Sequence, residues 1–293
     1  MPMHRPRWRT LVCGVATLVS AWIGVSGLSV PALAAQEKVK ASSSSNSGNV
    51  VRRPAPGVAP RNQLVIFIPG TGLRPSQSTE FLDYAAGLGF HVIGVAYPNS
   101  KSVATICAKE GDLCFGQVRE EIVSGRPTSS KVSIDQEASI LGRARAQVRL
   151  LATSAPADGW NRYLTGEERR LLFGDLVVIG HSQGAGHAAM VGIKFPVARV
   201  GMFSGPNDIV RDTGSVPSWT RANRVTPSGQ WRALSHREDS GLPEHTTSWN
   251  NFAMSAASRQ TIGGKTANPH QSVVVDAFLL SGVSGRWRTL LGA

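Results

Sequence analysis

The sequence predicts an α/β fold, with a mostly parallel central sheet and helices on both of its faces. Short apolar runs rich in Val and Ile alternate with helix-like segments from residue 64 onwards. Such alternation is typical of parallel sheets. With 41% apolar and 17% charged residues, the composition is that of a globular protein. In parallel sheets, ligands bind beyond the carboxyl ends of the strands, so functional residues are expected there.

The first 34 residues are predicted to be a secretory signal peptide. The segment MPMHRPRWR carries three arginines and no acid, an apolar run follows, and Ala32-Leu33-Ala34 forms a small-x-small cleavage site. We therefore expect cleavage after Ala34 and a secreted or periplasmic protein. The apolar run is about long enough to span a bilayer, so a retained anchor is the alternative. Cys13 comes too early, and lacks a lipobox, for a lipoprotein anchor.

The chain is basic, with a formal net charge of +12 from 31 Lys and Arg against 19 Asp and Glu. Loss of the three arginines of the signal peptide would leave +9. The positive residues are scattered, without a basic helix or interleaved aromatic residues. We therefore expect no specific nucleic-acid binding, and only weak attraction to anionic envelope surfaces or polymers. The oligomeric state is left open.

Residues 35–62 are predicted to be a flexible Ser/Pro-rich linker, because such a composition buries too little apolar surface to become ordered. The folded domain is expected to span residues 63–293. Its predicted strands are 64–69, 90–97, 175–180, 198–204, 231–235 and a weak strand at 258–262. Its predicted helices are 76–88, 133–153, 183–195, 249–257 and 271–280. Residues 98–130 are predicted to be a long irregular excursion.

That excursion contains Cys107 and Cys114, the two cysteines that remain after cleavage. An even number of cysteines in an exported chain predicts one disulfide, here closing a short loop. A pair of metal ligands is the alternative. The spacing differs from that of a zinc knuckle, and no histidine lies nearby in the sequence.

The segment Gly180-His181-Ser182-Gln183-Gly184 follows a predicted strand and opens a helix. It matches the G-x-S-x-G nucleophile elbow. The tight turn strains the serine backbone and holds its hydroxyl clear of the sheet. Side chains at the flanking positions would collide with the strand and the helix, so both are glycine. An ordinary strand–helix turn is the alternative.

A serine nucleophile needs a base, which we expect downstream. His270 lies in a loop before a helix, after the last predicted strand, and is the preferred candidate. His236 and His245 follow the preceding strand and are expected at the surface or the pocket rim. His181, inside the elbow, and His187, on its helix, are expected to be packing groups.

The base in turn needs a carboxylate that fixes its tautomer. Asp239 follows the strand WRALS and is the preferred acid. Asp208, in SGPND after the strand before, is the alternative, and Glu238 comes third. The unused carboxylates would cap turns.

An oxyanion also needs backbone donors. One is expected to be the N–H of Gln183, the residue after the serine. The other is expected from the loop IPGTGLRP, where glycines allow close approach of the backbone and Thr71 or Gly72 would donate.

From about Gln63 to Leu280 the chain resembles the α/β-hydrolase superfamily, with the order Ser…Asp…His, and within it a poorly characterised group of secreted bacterial hydrolases. The resemblance is carried by FIPGTG, VAYPN with the cysteine pair, GHSQGAGHAA, FSGPND, SHRED and PHQSVVVDAF. It implies an α/β-hydrolase fold with an eight-stranded, mostly parallel sheet, a Ser182–Asp239–His270 triad and no cofactor. The first strands of the full superfamily sheet are not evident between residues 35 and 63, which predicts a trimmed sheet.

The expected activity is therefore that of a serine esterase or lipase acting on a small-molecule, lipid or polyester ester. No metal is expected, because the sequence has no H-E-x-x-H motif or carboxylate cluster. Residues 205–230 are too short and polar for a large lid, so an open site is expected. Trp219, Trp231 and Trp249 are candidates for the pocket or the core.

Three alternatives to this expectation exist. The same triad can serve a peptidase, a thioesterase or an acyltransferase. An inactive envelope-associated binding module is a second alternative. A dinucleotide-binding fold is excluded, because no G-x-G-x-x-G follows the first strand.

Overall fold

The computed structural model describes residues 48–275 and 283–293. The predicted signal peptide, residues 35–47 of the predicted linker and residues 276–280 of the last predicted helix lie outside these ranges. Within them, no helix is both long enough and apolar enough to cross a membrane.

One mostly parallel sheet organises the described residues. Its strands are β1 Val50–Arg52, β2 Leu64–Ile68, β3 His91–Gly94, β6 Leu176–His181, β7 Arg199–Phe203, β8 Trp231–His236 and β9 Arg259–Ile262. A separate hairpin pairs β4 Leu164–Thr165 with β5 Arg170–Leu171. The order across the main sheet is β1-β3-β2-β6-β7-β8-β9, and every neighbouring pair is parallel except β1 with β3. The predicted fold class is confirmed.

Helices cover both faces of this sheet. They are α1 Thr79–Gly87, α2 Val103–Ile106, α3 Leu113–Ser124, α4 Ile140–Ser154, α5 Gln183–Lys194, α6 Leu242–Asn251, α7 Pro269–Val275 and α8 Val283–Leu291. The side chains of β2 alternate between the faces, as a pleated strand requires. Leu64 and Ile66 pack with α3, α4 and α5, whereas Val65 and Phe67 pack with α1, α7 and α8.

The linker prediction is wrong for residues 50–52. These residues form β1, which pairs antiparallel with β3 and places Val51 opposite Ile93. Three residues between a Ser-rich and a Pro-rich stretch are too few to show a strand period. The described residues thus hold seven strands of the main sheet, one fewer than the eight that the resemblance implied.

The prediction of an irregular excursion over residues 98–130 is also wrong, because this segment contains α2 and α3. The helix α3 buries Arg119 and Glu121 beside Phe115 and Val118. Polar residues on its inward face hide the amphipathic period from which a helix is predicted.

Other boundaries shift by up to about seven residues. The helix expected from residue 133 begins at Ile140, where the Ser139 hydroxyl accepts a hydrogen bond from Gly142 N–H and caps the first turn. The helix expected at 249–257 is α6, which begins earlier, at Leu242.

Candidate active site

Ser182 occupies a strained turn between β6 and α5. Its backbone has φ 55° and ψ −119°, in the left-handed half of the Ramachandran map that disfavours a side chain. A Cβ on Gly180 would lie 1.9 Å from the carbonyl oxygen of Gly184, and one on Gly184 would lie 2.0 Å from that of Ile68. The flanking positions therefore admit only glycine, and the serine lies at the carboxyl edge of the sheet.

His270 and Asp239 meet at the same edge. Nδ1 of His270, in the first turn of α7, lies 2.9 Å from Oδ2 of Asp239, which follows β8. Burial acts to raise the pKa of the Asp239 carboxyl, but hydrogen bonds from His270 and from Gly241 N–H outweigh it and hold that pKa well below its usual range. Asp239 is therefore an anion at neutral pH.

His181 ties this pair to the elbow. Its Nε2 lies 2.9 Å from the backbone carbonyl oxygen of His270, and the two rings are 5.0 Å apart between centroids. A carbonyl only accepts, so Nε2 of His181 carries the proton. Burial lowers the pKa of His181 to about 3, so its ring is neutral. The sequence predicted a packing group and missed this contact.

The alternative acids are placed elsewhere. Arg119 donates to both carboxylate oxygens of Asp208, from Nε at 2.7 Å and from Nη2 at 2.6 Å. Trp219 donates to the same carboxylate from Nε1 at 3.1 Å. Asp208 is thus engaged in a buried ion pair, while Glu238 is exposed. Of the three candidate acids, only Asp239 contacts His270 in the part of the chain that the structure describes.

The candidate oxyanion donors lie beside the serine. Gln183 is the first residue of α5, where an N–H has no partner within the helix. The loop after β2 passes directly by, since a Cβ on Gly70 would lie 3.1 Å from Cβ of Ser182. In that loop Gly72 N–H donates to the Asn99 carbonyl at 2.9 Å and is not free. The expectation for Gly72 is therefore wrong, and Thr71 is the donor to test.

Gln183 is held from two sides. Its side-chain Oε1 accepts a hydrogen bond from Val103 N–H, at the start of α2, at 2.7 Å. Its backbone carbonyl accepts one from Nη1 of Arg119, in α3, at 3.0 Å. Both helices of the segment predicted to be irregular thus contact the residue after the serine. Neither contact could be predicted, because these partners are 64 to 80 residues away in the chain.

This chain has the α/β-hydrolase fold. Its strand order and the elbow between β6 and α5 are those of that fold. No family model and no curated protein matches the chain. Solved structures with which it shares similarity include an α/β serine hydrolase without a lid from Xanthomonas campestris, at 14% identity over 83% of this chain and 87% of that chain, with a TM-score of 0.44.

Two further solved structures are similar to this chain. An α/β serine hydrolase homologue from Coxiella burnetii has 12% identity over 83% of this chain and 90% of that chain, with a TM-score of 0.46. A propionate-bound esterase from the Planctomycetes species Thermogutta terrifontis has 13% identity over 82% of this chain and 85% of that chain, with a TM-score of 0.42.

The expectation that His236 and His245 lie at the surface or the pocket rim is wrong, because both are fully buried. Helix α6 folds back over the end of β8 and buries His245 beside Asp239. Nδ1 of His245 lies 3.3 Å from Oγ of Ser235, and burial lowers the pKa of His245 to about 4. Asp239, His245 and His270 each offer a ligand atom, all within 4.8 Å of one another.

The other candidates lie in the protein interior. Trp219, Trp231 and Trp249 are all buried and donate their indole N–H groups to Asp208 or to backbone carbonyls, so they belong to the core. His187 is fully buried and packs edge-on against Tyr97. The sulfur atoms of Cys107 and Cys114 are bonded and join the end of α2 to the start of α3.

Proposed function

We propose that this protein is a serine hydrolase that cleaves carboxylic esters through Ser182, His270 and Asp239. The observation that carries the proposal is the strained Ser182 at the same edge of the sheet as a histidine whose Nδ1 is bound to a buried carboxylate. Because a carboxylate only accepts, the proton of neutral His270 lies on Nδ1, and Nε2 keeps the lone pair that a general base needs.

In the proposed reaction, Ser182 Oγ attacks the acyl carbonyl while His270 Nε2 takes the hydroxyl proton. The backbone N–H groups of Gln183 and Thr71 stabilise the resulting oxyanion. His270 then returns the proton to the leaving alcohol, and an acyl-enzyme forms. Water releases the acyl group by the same route, with Asp239 stabilising the imidazolium in both halves of the reaction.

The surroundings of the serine support an open site without a long lid. The connection between β7 and β8 holds only short 3-10 turns, and its Trp219 packs in the core. It therefore forms no long helical lid. A small-molecule, lipid or polyester ester would reach an open site of this kind. A peptidase, thioesterase or acyltransferase that uses the same triad is tested by the same substrate panel. We also propose export, which the bonded cysteine pair supports.

Fluorophosphonate labelling tests whether Ser182 is an activated nucleophile. We expect rapid labelling of the mature protein, and none in Ser182→Ala or His270→Ala. Ser204→Ala is a matched control, because Ser204 also follows a strand and also has a positive φ, of 44°, but is fully buried. It should still be labelled. A panel of p-nitrophenyl esters of increasing chain length then defines the acyl preference.

The contrary outcome is an unlabelled wild-type protein with no hydrolysis of any ester in the panel. That result would contradict the proposal and favour the inactive binding module. For such a module we expect salt-sensitive adhesion to anionic polymers, because its basic surface would form the binding site.

A further inference from the structure

His245 lies close to Asp239, the proposed acid of the triad. It is fully buried, and its Nε2 has no hydrogen-bond partner in the described part of the chain. A Cβ placed on Gly241 would lie 2.8 Å from this Nε2 and 3.4 Å from Oδ1 of Asp239. The unpartnered nitrogen and a carboxylate oxygen of Asp239 thus both lie beside Gly241. A buried nitrogen without a hydrogen-bond partner is costly, so Nε2 of His245 is available to a ligand.

A chain of hydrogen bonds fixes which nitrogen of His245 is free. Ser235 Oγ donates its proton toward Oδ2 of Asp239, at 3.4 Å, because a carboxylate only accepts. The same hydroxyl oxygen must then accept from Nδ1 of His245, at 3.3 Å. The neutral ring carries one proton, on Nδ1, so Nε2 presents a lone pair toward Asp239 and not an N–H.

We propose that Asp239, His245 and His270 form a binding site for a divalent transition-metal ion such as Zn²⁺, and that this ion inhibits the enzyme. One carboxylate oxygen and two imidazole nitrogens make the ligand set that Zn²⁺ prefers, with a fourth position for water. The three ligand atoms lie within 4.8 Å of one another. Bonds of about 2.0–2.2 Å place zinc ligands about 3.5 Å apart, so closure needs movements of about 1 Å. His270, one-third exposed, provides access from solvent.

Inhibition follows from the tautomer of His270; this part of the inference rests on the proposed function. The metal takes the lone pair of Nδ1, in place of the Nδ1–H that binds Asp239. The neutral ring keeps its single proton, which must then lie on Nε2. A protonated Nε2 cannot accept the proton of Ser182, so the metal-bound enzyme has no general base. No net proton is released, and no bond to substrate is needed.

Calorimetric titration of the mature protein with Zn²⁺ tests the site directly. We expect one ion per chain, and at least about tenfold weaker binding in His245→Gln. Glutamine fills a similar volume, and its amide N–H can still donate to Ser235. His236→Gln is the matched control, because His236 is equally buried, also has an unpartnered Nε2, and is not in the ligand set. It should bind Zn²⁺ like the wild type. If His245→Gln fails to fold, His270→Ala provides the second test, because it removes another ligand at a partly exposed position.

The rate of ester hydrolysis, measured at increasing Zn²⁺ concentrations, tests whether the ion inhibits the enzyme. We expect inhibition over the concentration range of binding, reversal by EDTA, and loss of inhibition in His245→Gln relative to that variant's own rate. Mg²⁺ should not inhibit, because it prefers oxygen ligands. Equal Zn²⁺ affinity in wild type, His245→Gln and His270→Ala would overturn the site. One-to-one binding without any esterase activity would keep the site and remove the proposed function.

Discussion

At the residue scale, the proposed role of Asp239 can be tested separately from that of Asp208. We predict that Asp239→Asn lowers the acylation rate by about 10³–10⁴-fold, because an amide at this position no longer selects the Nδ1–H tautomer of His270. Burst kinetics with an activated ester measure this rate. Asp208→Asn is the control. The folded variant should acylate at the wild-type rate, because in the wild type the Asp208 carboxylate binds Arg119 and not His270. Slow acylation in Asp208→Asn and normal acylation in Asp239→Asn would move the acid to Asp208.

The sequence singled out some candidate site residues and left the choice among others open, for a physical reason. Ser182 could be recognised because the elbow is local: the strain and the two glycine contacts arise within a few residues. Asp239 was the preferred acid, but no local rule could exclude Asp208, since both follow a strand. What separates them is Arg119, which is 89 residues from Asp208 in the chain and is brought to it by α3. Gly72 was misjudged because its N–H is taken by a distant carbonyl, that of Asn99.

At the element scale, the ion pair of Arg119 and Asp208 holds α3 to the loop after β7. We predict that Arg119→Met lowers the free energy of unfolding by about 3–5 kcal/mol, because it leaves the buried Asp208 carboxylate unpaired. Urea denaturation measures the loss. Adding Asp208→Leu should restore much of it. Lys131→Met is the control: it breaks the partly exposed Lys131–Glu110 pair and should cost less than about 1 kcal/mol. Equal losses in both single variants would contradict the prediction.

The disulfide constrains the neighbouring pair of helices. We predict that Cys107→Ser/Cys114→Ser lowers stability by about 2 kcal/mol, because the unfolded chain loses a short closed loop. For a domain of this size, the melting temperature should fall by roughly 4–8 °C. A reductant should lower the melting temperature of the wild type and leave the variant unchanged. Two free thiols in the mass spectrum of the exported protein would contradict the disulfide.

Elements were predictable where one face or both faces of the element are apolar. The parallel strands β2 and β6 are continuous apolar runs, since helices cover both sides of the sheet. The helix α3 was missed because it directs Arg119 and Glu121 inward, where Arg119 binds Asp208, 89 residues away, and Glu121 binds the following loop. The strand β1 was missed because it is three residues long and takes its order from β3. Pairing between distant segments, and not local preference, forms these elements.

At the scale of the whole molecule, the fold buries several histidines in their neutral form, and this determines its response to acid. Burial lowers the pKa of His91 and His245 to about 4 and that of His181 to about 3, and it lowers the pKa of His187 well below 6.5. In the unfolded chain these rings titrate near 6.5. Between the two values the unfolded state binds more protons than the folded state, so stability falls as the pH falls.

We therefore predict that the free energy of unfolding is nearly constant above pH 7 and decreases below pH 6.5. Each of these histidines should contribute a loss of about 2 kcal/mol by pH 5. Urea unfolding between pH 5 and 8 measures the slope, which gives the protons taken up on unfolding. His91→Gln should reduce the slope by about one proton, because its ring no longer titrates in the unfolded chain. A stability that is flat from pH 8 to 5 would mean that the interior accepts charged imidazoles. His181 would then carry a positive charge beside His270 in the candidate active site.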